Sequence, residues 1–497
     1  MACSAATVPP SDSRRMSSDV NRGLAWIGVA SSLIGVLDIV AILLILNLWV
    51  TTEEFGIATK CIWIFPILDQ ATDLGLSAAV IQRDDHSEAV ISTVFWINLA
   101  VALCLFAMLL VAAPLLATHL YGHAIVGWML IAYGTKLLWQ NVYFIPLAMM
   151  KRELRFKELS VIRVVANLAE FFGKVGFAWA GFGIWCFVLG PLARVLVTGI
   201  GAQLRHPYRP KLVLRPREAK EYVTFGLKSS ASQILFYFYT NIDFPIVGYY
   251  FGDVALGLYR LGTEIVLEPV RILSNIIVDI AFPAFAKLRH NRDRLIAQFV
   301  SFTKLNMIIV MSYSAIVFVA APDLMGVFFP EYHGSASVVR VLCIVAIFRA
   351  ISFVLPPLLD GFGRPDRTFT YTATAAVVMP IAFSLGAILL GDSLGFVSVA
   401  IAWAIGYPIA WGILLYLAIY TIKWSVLAYL RAVVGVAACI VGAALAAAGV
   451  HYLCSNIPPS LRLLATAITV VGVAGVLLAY TQGLSLRTAK RAMSADD

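Results

Sequence analysis

The chain has 497 residues, of which 61% are hydrophobic and 13% charged, and its mean hydropathy is +0.87. This composition excludes a soluble domain wrapped around an ordinary core. A net charge of +9 would suggest nucleic acid in a soluble protein, but loops lying beside anionic lipid account for it here, so no nucleic-acid partner is expected.

The first 22 residues are polar and Ser-rich and read as a disordered cytoplasmic N-terminus (1–22). From there about fourteen apolar stretches, each long enough to cross hydrocarbon as a helix, fill the chain. They are Leu24–Val50, Ile57–Val80, Ala89–Leu116, Ile125–Met150, Ser160–Ala180, Gly183–Gln203, Val223–Phe251, Gly257–Ala286, Gln298–Ala321, Ser337–Asp360, Thr368–Leu390, Gly395–Thr421, Val426–His451 and Leu461–Gln482. The first is too long for a signal-peptide core and lacks a clear small-residue cleavage site, so it reads as retained. The expected fold class is an all-α polytopic membrane protein with an N-lobe (23–204), a cytoplasmic linker (205–222), a C-lobe (223–421), two further spans (422–482) and a cytoplasmic tail (483–497).

Basic residues fall in every second gap. These gaps hold Arg83; Lys151, Arg152, Arg155 and Lys157; Arg205, Arg209, Lys211, Arg215, Arg217 and Lys220; Lys287, Arg289, Arg292 and Arg294; Arg364 and Arg367; and Lys423. Both termini join them, with Arg14, Arg15 and Arg22 and then Arg487, Lys490 and Arg491. The other gaps hold Glu53, Glu54, Asp253, Asp323, Glu331 and Asp392, and Arg462 alone breaks the alternation. Lys and Arg concentrate in cytoplasmic loops. The pattern therefore predicts cytoplasmic termini and a cytoplasmic Arg205–Lys220 loop.

The linker RHPYRPKLVLRPREAKEYVTFG divides spans one to six from seven to twelve, with an amphipathic stretch expected at Pro216–Thr224. The halves echo each other. EEFGIA enters the second span and ALGLYR the eighth, about 201 residues later. An even number of spans per half makes this a parallel repeat about an axis along the membrane normal.

Ionisable groups inside spans avoid lipid and face the bundle interior or a water-filled cavity. The deep cations Lys136, Lys174, Arg194, Arg260, Arg271 and Arg349 are the candidate substrate-binding residues, expected to line one cavity shared by both halves. Arg260, Glu264, Glu268 and Arg271 share one helical face, either as a self-paired ladder or as a stripe handling an anion or a coupling ion. Glu170 with Lys174 poses the same choice. Asp69 and Asp73 resemble a cation or proton site, with helix capping an equal alternative for Asp73. Tyr237, Asn241 and Asp243 suit a sugar or an ion. Prolines within spans suggest bent helices. The seven cysteines and seven histidines show no metal-ligand spacing, and no phosphate-cradling Gly-Lys-Ser/Thr loop or nucleophile elbow is present. No catalytic residue, metal or cofactor is expected, and the chain is read as a non-enzyme, with coupling to H+ or Na+ left open.

The stretch EEFGIATKCIWIFPILDQATDLGLSAAVIQRDDHSEAVISTVFWINL resembles the second and third helices of Wzx-like polysaccharide flippases, in the MATE-like multidrug/oligosaccharidyl-lipid/polysaccharide exporter superfamily. MKRELRFKELS, FGIWCFVLGPLAR, RPKLVLRPREAKEYVTFGLKSSASQ, NIDFPIVGYYFGDVALGLYRLGTEI, AFPAFAKLR and LLDGFGRPDRTFTY continue the likeness in family order from Glu54 to Tyr371, nearest to the colanic-acid and exopolysaccharide branch. The resemblance implies a V-shaped pair of six-helix lobes plus two extra C-terminal helices, in a bacterial inner membrane. It implies alternating access that turns an undecaprenyl-diphosphate-linked oligosaccharide from the cytoplasmic to the outer leaflet, with membrane lipid and polysaccharide polymerase or export machinery as further partners. It also implies a cationic cavity, from which the interior acids depart. Two alternatives stand beside it. One is a cation-coupled drug exporter of the same superfamily. The other is a glycan polymerase or ligase, disfavoured by short outer gaps nearly devoid of Arg.

Overall fold

The computed structural model describes residues 33–82 and 87–483. Arg14, Arg15, Arg22, Arg83, Arg487, Lys490 and Arg491 lie outside the described residues, as do the expected disordered N-terminus and all of the tail beyond Gly483. Every regular element among the described residues is helical. They are α1 (Leu33–Leu48), α2 (Thr52–Ile62), α3 (Phe65–Asp73), α4 (Leu76–Gln82), α5 (Glu88–Leu115), α6 (Ala124–Arg152), α7 (Phe156–Phe177), α8 (Cys186–Arg205), α9 (Pro216–Asn241), α10 (Asp243–Leu288), α11 (Arg292–Phe328), α12 (Ala336–Ser352), α13 (Leu355–Gly361), α14 (Pro365–Leu394), α15 (Val397–Thr421), α16 (Val426–Leu453) and α17 (Pro459–Gln482). Among the described residues, eight helical stretches are long and apolar enough to cross a membrane. The protein is a multi-pass, all-helical membrane protein.

Several expected spans are interrupted, each for a local reason. The second is three helices rather than one. α2 stops before Phe65-Pro66, and Leu74 (φ 44°) and Gly75 (φ 66°) turn the chain between α3 and α4. The tenth divides in the same way, because α12 ends at Ser352 and α13 restarts with proline in its first turn. Proline lacks the N–H that a first turn would leave unpaired, so it restarts a helix more readily than it continues one. Between α7 and α8 the chain reverses through Gly181 (φ 86°) and Gly183 (φ 53°), a conformation open to residues without Cβ. The stretch Pro216–Thr224 forms the beginning of α9, with Ala219 and Tyr222 buried and Lys220 and Glu221 exposed, and α9 runs on to Asn241.

Internal packing divides the chain into two compact units, Met1–Ile45 with Phe65–Ser230 and Leu46–Ile64 with Ala231–Asp497. In the first, Leu76 and Val80 of α4, Val90 and Val94 of α5, Ile145 of α6 and Tyr222 of α9 form a buried core. In the second, α2 lies against α10. Thr51 caps α2, its Oγ1 accepting from Glu54 N–H while Glu54 Oε2 accepts from Thr51 N–H at 2.9 Å. The equivalent glycines of EEFGIA and ALGLYR meet at the crossing. A Cβ on Gly56 would lie 1.9 Å from the Asp253 carbonyl oxygen, and one on Gly257 2.1 Å from that of Thr52. Beside this crossing Lys60, a buried cation, is ion-paired with Asp253.

The C-terminal hairpin α16–α17 packs on α11. Phe299 stacks on Tyr429, with ring centroids 5.3 Å apart. Arg462, the exception to the charge alternation, forms a two-pronged ion pair with buried Asp323 of α11. His451 Nδ1 lies 3.7 Å from the same carboxylate. The stray basic residue is thus neutralised by an acid of another helix.

Two stability predictions follow from these contacts. Gly56→Ala and Gly257→Ala should each force α2 and α10 apart, at a cost of about 1–3 kcal/mol or more. Thermal unfolding in detergent should show a lowered midpoint for each, and an unchanged midpoint would refute the close crossing. Arg462→Ala should cost about 3–5 kcal/mol by leaving Asp323 buried without its cation. The double replacement Asp323→Ala with Arg462→Ala should be milder than the single change in the same assay.

Candidate functional site

Both units carry charges within their spans. In the first unit, α3, α6, α7 and α8 bring together residues that lie far apart in sequence. Lys136 of α6, 2% exposed, donates to Asp69 Oδ2 of α3 at 2.5 Å. Tyr133 Oη donates to the same oxygen at 3.0 Å, and Gln140 Nε2 to Asp69 Oδ1 at 2.9 Å. Tyr133, Lys136 and Gln140 follow one another at helical spacing, so a single face of α6 grips the carboxylate of the short helix α3. Glu170 of α7 lies between two cations, Lys174 Nζ at 2.8 Å and Arg194 Nη1 of α8 at 3.0 Å. Asp38 of α1 stands 3.9 Å from Lys174. Lys136, Lys174 and Arg194 are therefore answered by Asp69, Asp38 and Glu170. Asp73 is set apart from them, where its Oδ1 accepts from Ser77 Oγ at 2.5 Å at the start of α4. That is the capping alternative.

In the second unit the α10 ladder is self-paired. Arg260 is ion-paired with Glu264, and Arg271 donates to Glu268 Oε2 from Nη2 at 2.6 Å and from Nε at 2.9 Å. The pairs differ in environment. The Arg260 and Glu264 side chains are 13% and 15% exposed, whereas those of Arg271 and Glu268 are 42% and 35% exposed.

Asp243 and Arg349 form a third arrangement. Asp243 is the first residue of α10 and is fully enclosed, accepting from Trp403 Nε1 at 2.8 Å, Tyr259 Oη at 2.8 Å and the Phe244 N–H at 3.1 Å. Arg349 is in the last turn of α12 and is 6% exposed. Its guanidinium lies 5.1 Å from the centre of the Trp403 ring and 5.8 Å from that of Tyr407. Among the described residues no carboxylate comes within ion-pair distance of it. Arg349 occupies a helix end of favourable sign, a cation at a C-terminus, whereas Asp243 follows α9 with only Ile242, itself in helical conformation, between them. The Trp403 ring joins the two charges, its edge donating to Asp243 and its face receiving Arg349.

The remaining candidates are engaged locally. Asn241 Nδ2 donates to the Tyr237 carbonyl of its own helix at 2.8 Å, and the Tyr237 ring packs edge-on against Phe236. The chain reading did not single out Tyr133, Gln140, Tyr259, Trp403 or Tyr407. A Trp or Tyr in a buried span needs a partner for its N–H or O–H, which is the one sequence signal that could have found Tyr259 and Trp403. Lys60, within the second expected span, was likewise not singled out.

Residues 45–337, well over half of the chain, match the family described as "Polysaccharide biosynthesis protein". The chain belongs to the polysaccharide biosynthesis protein family. It is 26% identical over 430 residues to the teichuronic acid biosynthesis protein TuaB of Bacillus subtilis, covering 84% of this chain and 86% of that protein. It is 25% identical over 402 residues to the lipopolysaccharide biosynthesis protein WzxC of Escherichia coli, covering 76% and 78%. In fold it is similar to the lipid II flippase MurJ in an inward closed conformation, with a TM-score of 0.68 at 12% identity over 90% of this chain and 98% of that one. An inward-facing multidrug resistance MATE family transporter gives a TM-score of 0.64 at 16% identity over 80% and 99%. The polysaccharide biosynthesis family therefore sits here on a MATE-like helical fold.

Burial ranks the carboxylates. Glu170→Gln strands Lys174 and Arg194 beside each other and should cost about 3–5 kcal/mol. Glu268→Gln, at a half-exposed pair, should cost about 1 kcal/mol or less. Thermal unfolding of the two purified variants should separate them clearly, and equal shifts would show that the Glu170 cluster is hydrated.

Proposed function

We propose that this family member carries a lipid-linked oligosaccharide across the inner membrane, taking an undecaprenyl-diphosphate-linked unit from the cytoplasmic to the outer leaflet by alternating access. The observation that carries the reading is Arg349, a cation buried among spans that stands over aromatic faces with no carboxylate within ion-pair distance among the described residues. A group of this kind has its donors available for an anion, and a guanidinium pairs with two phosphate oxygens at once. Sugars and a diphosphate cannot enter hydrocarbon unaided, and fixed donors inside the protein offset their lost hydration. The half-exposed Arg271, paired with Glu268, is a second contact for the headgroup. Lys136, Lys174, Arg194 and Arg260, each already ion-paired, hold the charged helices in register. The alternation of basic gaps supports cytoplasmic termini and a cytoplasmic 205–220 segment. Polymerase and export proteins are the partners that would receive the product. Coupling to H+ or Na+ at Asp69 belongs to the same proposal, because its carboxylate is 31% exposed.

The test is a deletion strain complemented with variants at matched expression. Loss of the protein should accumulate lipid-linked oligosaccharide on the cytoplasmic face. Accumulation of shorter polymer on the outer face would instead indicate a polymerase, and altered drug sensitivity with normal glycan would indicate an exporter. Arg349→Ala should weaken the diphosphate contact by about 1.5–3 kcal/mol, roughly ten- to a hundredfold in apparent affinity, with Arg349→Lys retaining part of the activity. Equal activity of Ala, Lys and Arg at this position would remove Arg349 from the site. For sidedness, an impermeant thiol reagent applied to intact cells should label Asp392→Cys and spare Arg215→Cys.

A further inference from the structure

The segment between α8 and α9 is a strap fixed to the first unit rather than a slack linker. Lys211 N–H donates to Ser92 Oγ at 3.1 Å, Arg215 N–H donates to Thr93 Oγ1 at 3.0 Å, and Trp96 Nε1 donates to the Lys211 carbonyl at 2.8 Å. The Val213 carbonyl lies 3.2 Å from Thr93 Oγ1. At the head of the strap, Tyr208 N–H donates to Gln203 Oε1 at 3.0 Å and the Tyr208 ring packs near Phe95, with centroids 6.2 Å apart. Ser92 and Thr93 are completely buried.

These bonds fall on residues 211, 213 and 215. Between these anchors the chain bends at Leu212, where Val213 N–H donates to the Lys211 carbonyl at 2.8 Å, and the Leu212 and Leu214 side chains are left on the outside. They are 89% and 68% exposed, and the pinned backbone prevents them from folding inward. Around them Arg205, Arg209, Lys211, Arg215 and Arg217 are basic, and no Asp or Glu falls between Arg205 and Arg217. Lys211 pairs with Glu88 at 2.6 Å, while Arg209 and Arg217 are exposed.

The height of the strap is set by α5. At a rise of about 1.5 Å per residue, Thr93 and Trp96 lie about 8–12 Å along the helix from Glu88. A headgroup layer is roughly 5–7 Å deep on each side of the hydrocarbon, and tryptophan concentrates at that boundary. The strap is thus held where exposed leucines meet acyl chains and basic groups meet phosphates.

We propose that residues 206–215 and the first turn of α9 form a lipid-docking strap, in which Leu212 and Leu214 enter the acyl boundary while Arg209 and Arg217 bind anionic phospholipid headgroups. The occupant is the bulk anionic phospholipid of the leaflet that the strap faces. Apolar insertion beside basic charge is the combination that binds such surfaces. Only a bilayer is required, not the transported glycan, so a failure of the transport reading leaves this inference standing and the reverse.

Spin labels at Leu212→Cys, Leu214→Cys and, as a reference, Val213→Cys test it. The full-length chain would be placed in nanodiscs of phosphatidylcholine with or without phosphatidylglycerol, in a background without other cysteines that still complements the deletion strain. Labels at 212 and 214 should collide several-fold more with oxygen than with a water-soluble nickel chelate, and the contrast should grow with phosphatidylglycerol. In wild-type background, Arg209→Gln with Arg217→Gln should lower the phosphatidylglycerol retained in native mass spectra several-fold, with no change in unfolding temperature. Greater nickel than oxygen access at 212 and 214 overturns the proposal. So does exclusion of both reagents, which would indicate a protein partner, and so does retention of phosphatidylglycerol that the Arg replacements leave unchanged.

Discussion

Hydrocarbon supplies neither hydrogen bonds nor solvation, so every charge drawn into a span must be answered by the protein itself. The structure meets this demand in two ways. One is ion pairing, between helices for Lys136 with Asp69, Glu170 with Arg194 and Arg462 with Asp323, and within α7 for Glu170 with Lys174. The other uses neutral groups, the Trp403 and Tyr259 donors around Asp243 and the helix end where Arg349 closes α12. Carbonyls at a helix C-terminus are already partly charged, and they stabilise a cation without a full counter-ion. Arg349 is left electrostatically tolerable yet chemically open.

Helix ends inside the membrane require breaks, and the breaks have visible causes. Prolines restart α3 and α13, and a turn at Leu74 and Gly75 starts α4. A broken span would expose backbone groups to lipid, so it is tolerated where neighbours cover it. Hence the segments that carry Asp69 and Arg349 lie among other helices rather than at the surface. The glycine crossing of α2 and α10 follows the same logic from the packing side. Two backbones can approach to contact only where neither carries a Cβ, and the two copies of the repeat supply one glycine each.

Charge in this family member is therefore of two kinds. Buried, fully paired groups such as Glu170 with its two cations specify which helices assemble and in what register. Groups with unused donors or partial exposure, Arg349 and the Arg271–Glu268 pair, have capacity left for a ligand. A cavity lined by cations, the picture drawn from residue type alone, overstates the positive charge, because the ion pairs within each unit neutralise most of it.

The sequence by itself determined the class of the protein and the rough position of its spans, because hydrophobic length and basic alternation are local, additive signals. It also exposed the repeat and the family likeness, and it found Lys136, Glu170, Lys174, Arg194, Arg349 and Asp243, since an ionisable residue in an apolar run stands out wherever it points. Partners could not be read the same way. That Arg462 belongs to Asp323, that Trp403 serves both Asp243 and Arg349, and that Tyr133 and Gln140 close on Asp69 depends on which faces of distant helices meet. The pairs Arg260–Glu264 and Arg271–Glu268 were legible as possibilities, being neighbours on one helix. Only the packing around α10 decided that one is buried and the other half-exposed. The strap gives the same lesson. Its composition reads as a linker, and only the hydrogen bonds to Ser92, Thr93 and Trp96, made across more than a hundred residues, fix which of its side chains face the protein and which face outward.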